Sequence, residues 1–194
     1  MFGYTNVALR EVAFFSPDRI AASELNKENY IGVDNLLQNK QGKTISETVP
    51  KQGNSIKYLP EDILLGNIRP YLRKIWFANG EGGTNGDVLD IRVNNKEKLL
   101  PKYLYYVLSS ERFFNYDTSH SKGAKMPRGD KEAVMNYQFQ IPDIERQKRI
   151  IENLDKFDAL INDITEGIPA EIEARQKQYE YYRNKLLTFK RLES

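Results

Sequence analysis

A narrow apolar stripe runs down the carboxy-terminal part of this chain. Steps of three and four from Ile150 reach Leu154, Phe157, Ile161, Ile164, Ile168, Ile172, Arg175, Tyr179, Tyr182, Leu186 and Phe189, and eleven of these twelve positions are apolar or aromatic. This is the spacing of helices that pack in pairs. One extra step of four, between Ile168 and Ile172, makes a stutter beside Gly167 and Pro169, where the helix should kink or restart. Continuous from 143 to 190, the helix would be about 70 Å long at 1.5 Å per residue. Two arrangements bury the seam: a hairpin bent at Gly167–Pro169 that packs on itself, or pairing with a second helix of the same kind. The second is preferred, because the helix outruns the small domain before it. Leu154, Phe157, Ile161, Ile164, Ile168, Ile172, Tyr179, Tyr182 and Leu186 then form a dimer face.

The chain divides near Pro142. Residues 1–141 carry a net charge of +3 and residues 142–194 a net charge of −1, for +2 over the whole chain. A nucleic-acid partner would therefore need a local basic patch. The chain has no cysteine and one histidine, which removes disulfides, thiolate nucleophiles and thiolate or paired-histidine metal sites. Arg10 and Glu11 interrupt the amino terminus before a signal core could form, and no run approaches the roughly 20 apolar residues of a membrane span. The expectation is a cytoplasmic protein with no membrane contact.

Patterning within 1–141 is mixed, which predicts an α+β class. "NYIGVDNLL" (29–37) reads as a short strand, and 38–57 as a long loop or loose hairpin. "DILLGNIRPYLRKIWFA" (62–78) reads as two strands with a turn around Asn67–Tyr71, because Pro70 denies a single central strand. "NGEGGTNGD" (79–87) reads as a turn and "VLDIRV" (88–93) as a strand. Residues 101–116 open on Pro101 and read as helix; 133–141 read as a strand. The tyrosines of "KYLYYVL" read as core.

Apparent catalytic motifs fail on spacing. "GKT" (42–44) lacks the glycine five positions earlier, where Leu37 stands, and "GEGGTNG" (80–86) lacks the dinucleotide spacing. Asp143 and Glu145 sit at a helix start, where negative side chains favour the dipole. No base-methylation motif is present, so neither a catalytic residue nor a metal site is expected. Three basic clusters remain. "TSHSKGAKMPRGDK" (118–131) carries His120, Lys122, Lys125, Arg128 and Lys131; a second holds Arg69, Arg73 and Lys74 beside Tyr71; a third holds Lys40 and Lys43 among Gln38, Asn39 and Gln41. Lysines suit phosphates, arginine forks suit guanine edges or phosphates, and carboxamides suit adenine edges. Each cluster alone could equally be a solvated loop. A hydrolase using Ser119 or Ser121 with His120 is the least favoured reading, because adjacent residues rarely face one another productively.

Taken together, "LPEDILLGNIRPYLRKIWFA", "PKYLYYVLSSERF", "SKGAKMPRGDKEAVMNYQFQIPDIERQKRIIENLDKFDAL" and "GIPAEIEARQKQYEYYRNKLL" resemble the DNA specificity subunit of type I restriction–modification enzymes. The resemblance covers most of 56–189 in the same order; residues 1–55 match weakly, as in proteins that vary with their target. One departure is Arg146, which separates a Glu and a Gln that are adjacent in the usual form. The resemblance implies a target-recognition domain (1–141) followed by a helical spacer and dimerisation region (142–194), the spacers pairing as an antiparallel coiled coil. Full-length members carry this unit twice; it occurs once here. The implied role is a non-catalytic DNA-recognition subunit. Its implied partners are double-stranded DNA, a second copy of itself or another specificity subunit, and modification subunits that bind S-adenosylmethionine, with ATP-driven restriction subunits where present. No cofactor is implied for this chain. The competing reading is a coiled-coil adaptor that binds no DNA.

Overall fold

The computed structural model describes residues 5–159. The expected dimer-face positions Ile161, Ile164, Ile168, Ile172, Tyr179, Tyr182 and Leu186 lie outside the described residues. In chain order the elements are β1 (Thr5–Ala8), α1 (Leu9–Val12), β2 (Ala13–Phe15), β3 (Arg19–Ala21), β4 (Tyr30–Ile31), β5 (Asn54–Tyr58), β6 (Ile63–Gly66), β7 (Ile75–Phe77), β8 (Gly82–Thr84) and β9 (Val88–Val93). Then follow α2 (Pro101–Leu108), α3 (Glu111–His120), α4 (Lys131–Asn136) and β10 (Gln138–Ile141). A last helix, α5, begins at 144 and runs to the last described residue, 159.

β6 is the pivot of the domain. It lies between β9 and β7 in an antiparallel sheet of order β2-β9-β6-β7, and all four of its residues are buried. Successive strand side chains point to opposite faces. Ile63 and Leu65 enter a large cluster with Ile75, Leu89, Ile91, Leu104 and Phe113, whereas Leu64 enters a smaller one with Ile31, Leu36, Tyr58, Ala78 and Val88. An uninterrupted apolar run is what a strand covered on both faces needs. From β9, the Arg92 guanidinium clasps Asp62, just before β6, and reaches Asp18 at 2.6 Å. Burial, and then the Asp62 charge, push the neighbouring Asp90 carboxyl well above the usual carboxylate range.

The second four-stranded sheet has the order β3-β5-β8-β4, antiparallel except for the parallel β4–β8 pair. Its β8 corrects the reading of 79–87 as turn alone. A Cβ at Gly82 would overlap the Asn29 carbonyl oxygen, and one at Gly83 would press on Leu25 at 2.8 Å. These glycines permit close strand approach as well as turning.

Other boundaries shifted for local reasons. The strand expected at 29–37 is only Tyr30–Ile31. The helix expected at 101–116 is two: α2 ends at Leu108, and the Ser110 hydroxyl accepts from the Phe113 N–H (3.2 Å) to start α3. Residues 133–136 are helix, because the Asp130 carboxylate accepts from the N–H groups of Glu132 (3.0 Å) and Ala133 (3.3 Å) as an N-cap. Only 138–141 form the strand, which pairs antiparallel with β1.

α5 starts where Asp143 caps it, accepting from the Arg146 N–H at 2.8 Å. One turn later Gln147 is fully buried. Its Oε1 accepts from Leu100 N–H (2.8 Å), and its Nε2 donates to the carbonyls of Lys98 and Pro142 (2.9 Å each). Ile150 and Ile151 pack against the large cluster. Two compact units are present, Met1–Ile151 and Glu152–Ser194. In the second, Leu154 is half-buried and Phe157 is 61% exposed.

Candidate nucleic-acid interface

The three basic clusters, well separated in sequence, are neighbours in the fold. The first is a small hairpin in which Leu36 bridges to Lys43, and the Leu37 N–H donates to the Gly42 carbonyl at 2.9 Å. Its tip is Gln38-Asn39-Lys40-Gln41. Asn39 (φ 53°) and Lys40 (φ 64°) both hold the left-handed region, as the central pair of a type I′ turn must, and Gln41 N–H closes on Gln38 C=O at 3.3 Å.

The second cluster is the 3₁₀ turn Pro70–Leu72, flanked on each side by a left-handed arginine: Arg69 (φ 52°) and Arg73 (φ 54°). Pro70 is buried, and Tyr71 stands 50% exposed. The third is the loop 121–130, where Lys122 and Arg128 exchange both backbone hydrogen bonds at 2.9 Å and Gly123 takes φ 106°.

Main-chain hydrogen bonds join all three. Lys40 N–H donates to Arg73 C=O at 3.0 Å, Arg69 N–H to Pro127 C=O at 2.7 Å, and Gly129 N–H to Asn67 C=O at 2.9 Å. Among the described residues five non-glycine residues have positive φ, and Asn39, Lys40, Arg69 and Arg73 are four of them; Glu61 is the fifth. Such conformations cost on the order of 1 kcal/mol or more each and concentrate at functional surfaces.

The side chains divide into exposed and engaged. Lys40, Lys125, Lys131 and Arg69 are exposed. Lys122 pairs with Asp130 (2.6 Å), Arg128 with Asp87 (3.1 Å) and Arg73 with Glu111, all at or near the surface, where such pairs are weak and can exchange for a phosphate. Lys74 and Lys43 serve the domain itself. The Lys74 ammonium donates to Val33 C=O (2.7 Å), and burial pushes it below the usual lysine range against the opposing pull of Asp34. Lys43 donates to Glu28 C=O (3.0 Å) and lies 5.4 Å from the Trp76 ring centroid. The His120 ring lies tilted against Tyr116, with centroids 4.2 Å apart, and its Nδ1 faces Tyr116 C=O (2.8 Å). The Ser119 hydroxyl donates to that same carbonyl (2.7 Å), so this pair closes the end of α3.

Sequence reasoning passed over the scaffold beneath this face. Asp117, on α3, is 1% exposed, and its Oδ1 has no hydrogen-bond partner. A Cβ at position 129 would come within 2.8 Å of that oxygen and 2.7 Å of Asn67 Oδ1, so only glycine lets the loop lie this low. Burial pushes the Asp117 carboxyl up to about 6, with His120 drawing it down. No periodicity marks Asp117; the glycine at 129 between two charged residues was the available signal.

Comparison with known proteins agrees with this architecture. The family described as "Type I restriction modification DNA specificity domain" matches residues 3–174. A type I restriction enzyme specificity subunit of Escherichia coli is 42% identical over 98 residues, 50% of this chain and 24% of that protein. A putative type I restriction enzyme specificity subunit of Haemophilus influenzae is 36% identical over 129 residues, 66% of this chain and 32% of that protein. Among solved structures, the HsdS subunit of Thermoanaerobacter tengcongensis superposes with a TM-score of 0.68 at 21% identity, covering 92% of this chain and 47% of that one. The S subunit of a type I restriction-modification system from M. genitalium gives 0.60 at 15% identity, covering 96% and 46%. The chain thus spans about half the length of these solved structures and a smaller share of the curated relatives. It belongs to the type I restriction–modification DNA specificity domain family.

Proposed function

We propose that this chain is a DNA-specificity half subunit that carries no chemistry of its own and selects the sequence on which partner subunits act. The observation that carries the reading is the convergence of three basic segments on one strained face of a domain that belongs to the specificity family. Lysines and arginines on that face grip phosphates, while a few side chains read base edges in the major groove. Two copies pair through the seam from Leu154 to Leu186, and the two-fold relation makes the target palindromic, with two half-sites around an unread spacer. Modification subunits binding S-adenosylmethionine supply adenine methylation, restriction subunits join where present, and the assembly works in the cytoplasm.

Methylome sequencing of a host carrying this chain and a modification partner tests the reading. A split, symmetric methylated motif is the expected outcome; an asymmetric motif removes the homodimer, and no motif removes the specificity role. Replacing Ile161 and Ile164 with Asp should halve the mass in solution, whereas an unchanged mass would favour a self-packed hairpin. The adaptor reading draws on one observation: Arg73, Lys122 and Arg128 already hold carboxylates. A wild-type chain that binds no duplex, even at low salt, would favour it.

A further inference from the structure

Within the proposed DNA-recognition role, on which this inference rests, the three segments are not equivalent. The turn around Pro70 and the loop 121–130 present mainly charge. The hairpin tip presents Gln38, Asn39 and Gln41, three exposed carboxamides in four residues. We infer that the tip of this hairpin is the base-reading element and that the bases it reads include adenine.

Three physical features lead there. The first is the match of functional groups. A carboxamide offers one acceptor beside one donor, the complement of adenine N6–H₂ and N7 in the major groove; guanine presents two acceptors there and calls for Arg or Lys. The second is shape. A two-stranded ribbon enters a groove about 12 Å wide, and a two-residue turn is its narrowest tip. The third is rigidity. Leu36 is 1% exposed in the smaller core cluster, Lys43 is held at Glu28 C=O and Trp76, and Lys40 N–H is held by Arg73 C=O. A tip fixed before binding loses little loop entropy on contact. Its neighbours complete the arrangement: Lys40 lies between the amides, and exposed Arg69 lies on the adjoining turn, so phosphate contacts flank the reader.

The test is selection from a randomised duplex library by the purified chain and by Gln38→Ala/Gln41→Ala. Both substitutions are exposed and leave the left-handed Asn39 and Lys40 untouched, so the turn persists, and an unchanged melting temperature verifies it. The wild-type consensus should contain A·T positions that become degenerate in the variant. Affinity for the wild-type consensus should fall about 5- to 150-fold, while affinity for unrelated duplex changes less than about twofold. An unaltered consensus, or an equal loss on every sequence, overturns the assignment of reading to the tip while DNA recognition stands. A wild-type chain that binds no duplex overturns the underlying reading instead.

Discussion

The main-chain N–H of Lys40 donates to the carbonyl oxygen of Arg73 at 3.0 Å, and both residues hold left-handed backbone. Two strained turns, separated in the chain by all of β5 and β6, brace each other. Neither conformation is favourable alone, and the shared hydrogen bond helps hold both. What the pairing achieves is a common surface on which Lys40, Arg69 and Tyr71 are exposed together.

If that surface grips phosphates, charge removal should act on all sequences alike. Lys122→Ala/Lys125→Ala/Arg128→Ala should weaken binding to specific and random duplex in parallel and make the log–log salt dependence shallower by about one per lost contact. Titrations at several salt concentrations read this directly. A slope identical to wild type would move the phosphate face elsewhere.

The left-handed arginines separate strain from side-chain chemistry. Arg69→Val should cost about 1–2 kcal/mol, since a β-branched residue is poorly tolerated at φ 52°. Arg69→Gly should leave stability within about 1 kcal/mol, because relief of strain offsets the added freedom of the unfolded chain. Urea denaturation of the two variants, expected to differ in that order, checks the claim.

Asp117 should make stability depend on pH. Its folded carboxyl is raised to about 6 by burial, so the native chain binds this proton more tightly than the unfolded one. Its contribution is therefore complete below about pH 4 and is lost as pH rises through about 6. Asp117→Asn should flatten that part of the profile and gain on the order of 2–3 kcal/mol at pH 7. Denaturation midpoints from pH 4 to 8 would show it; parallel profiles would mean the carboxylate is not desolvated.

Gln147 offers a different lever. Gln147→Leu leaves Leu100 N–H and the carbonyls of Lys98 and Pro142 without their partner at a buried site. The loss should be about 2–4 kcal/mol. Amide exchange should rise first at Leu100 and in the opening turn of α5; protection unchanged there would show that packing of Ile150 and Ile151 suffices.

The sequence alone determined the elements whose cause is local. Pro70 between two apolar runs separates β6 from β7, the run 88–93 is β9 end to end, Pro101 opens α2, and Asp143 starts α5. Backbone preference and side-chain periodicity act over a few residues, so they are legible in a few residues. Tertiary structure alone decided that Gly82–Thr84 is a strand, since the opposing Asn29 carbonyl, distant in sequence, demands glycine at 82. It also decided that three basic stretches meet, with the loop 121–130 lying low over a buried Asp117. Hydrogen bonds between distant main-chain groups bring them together, and such bonds carry no side-chain signature.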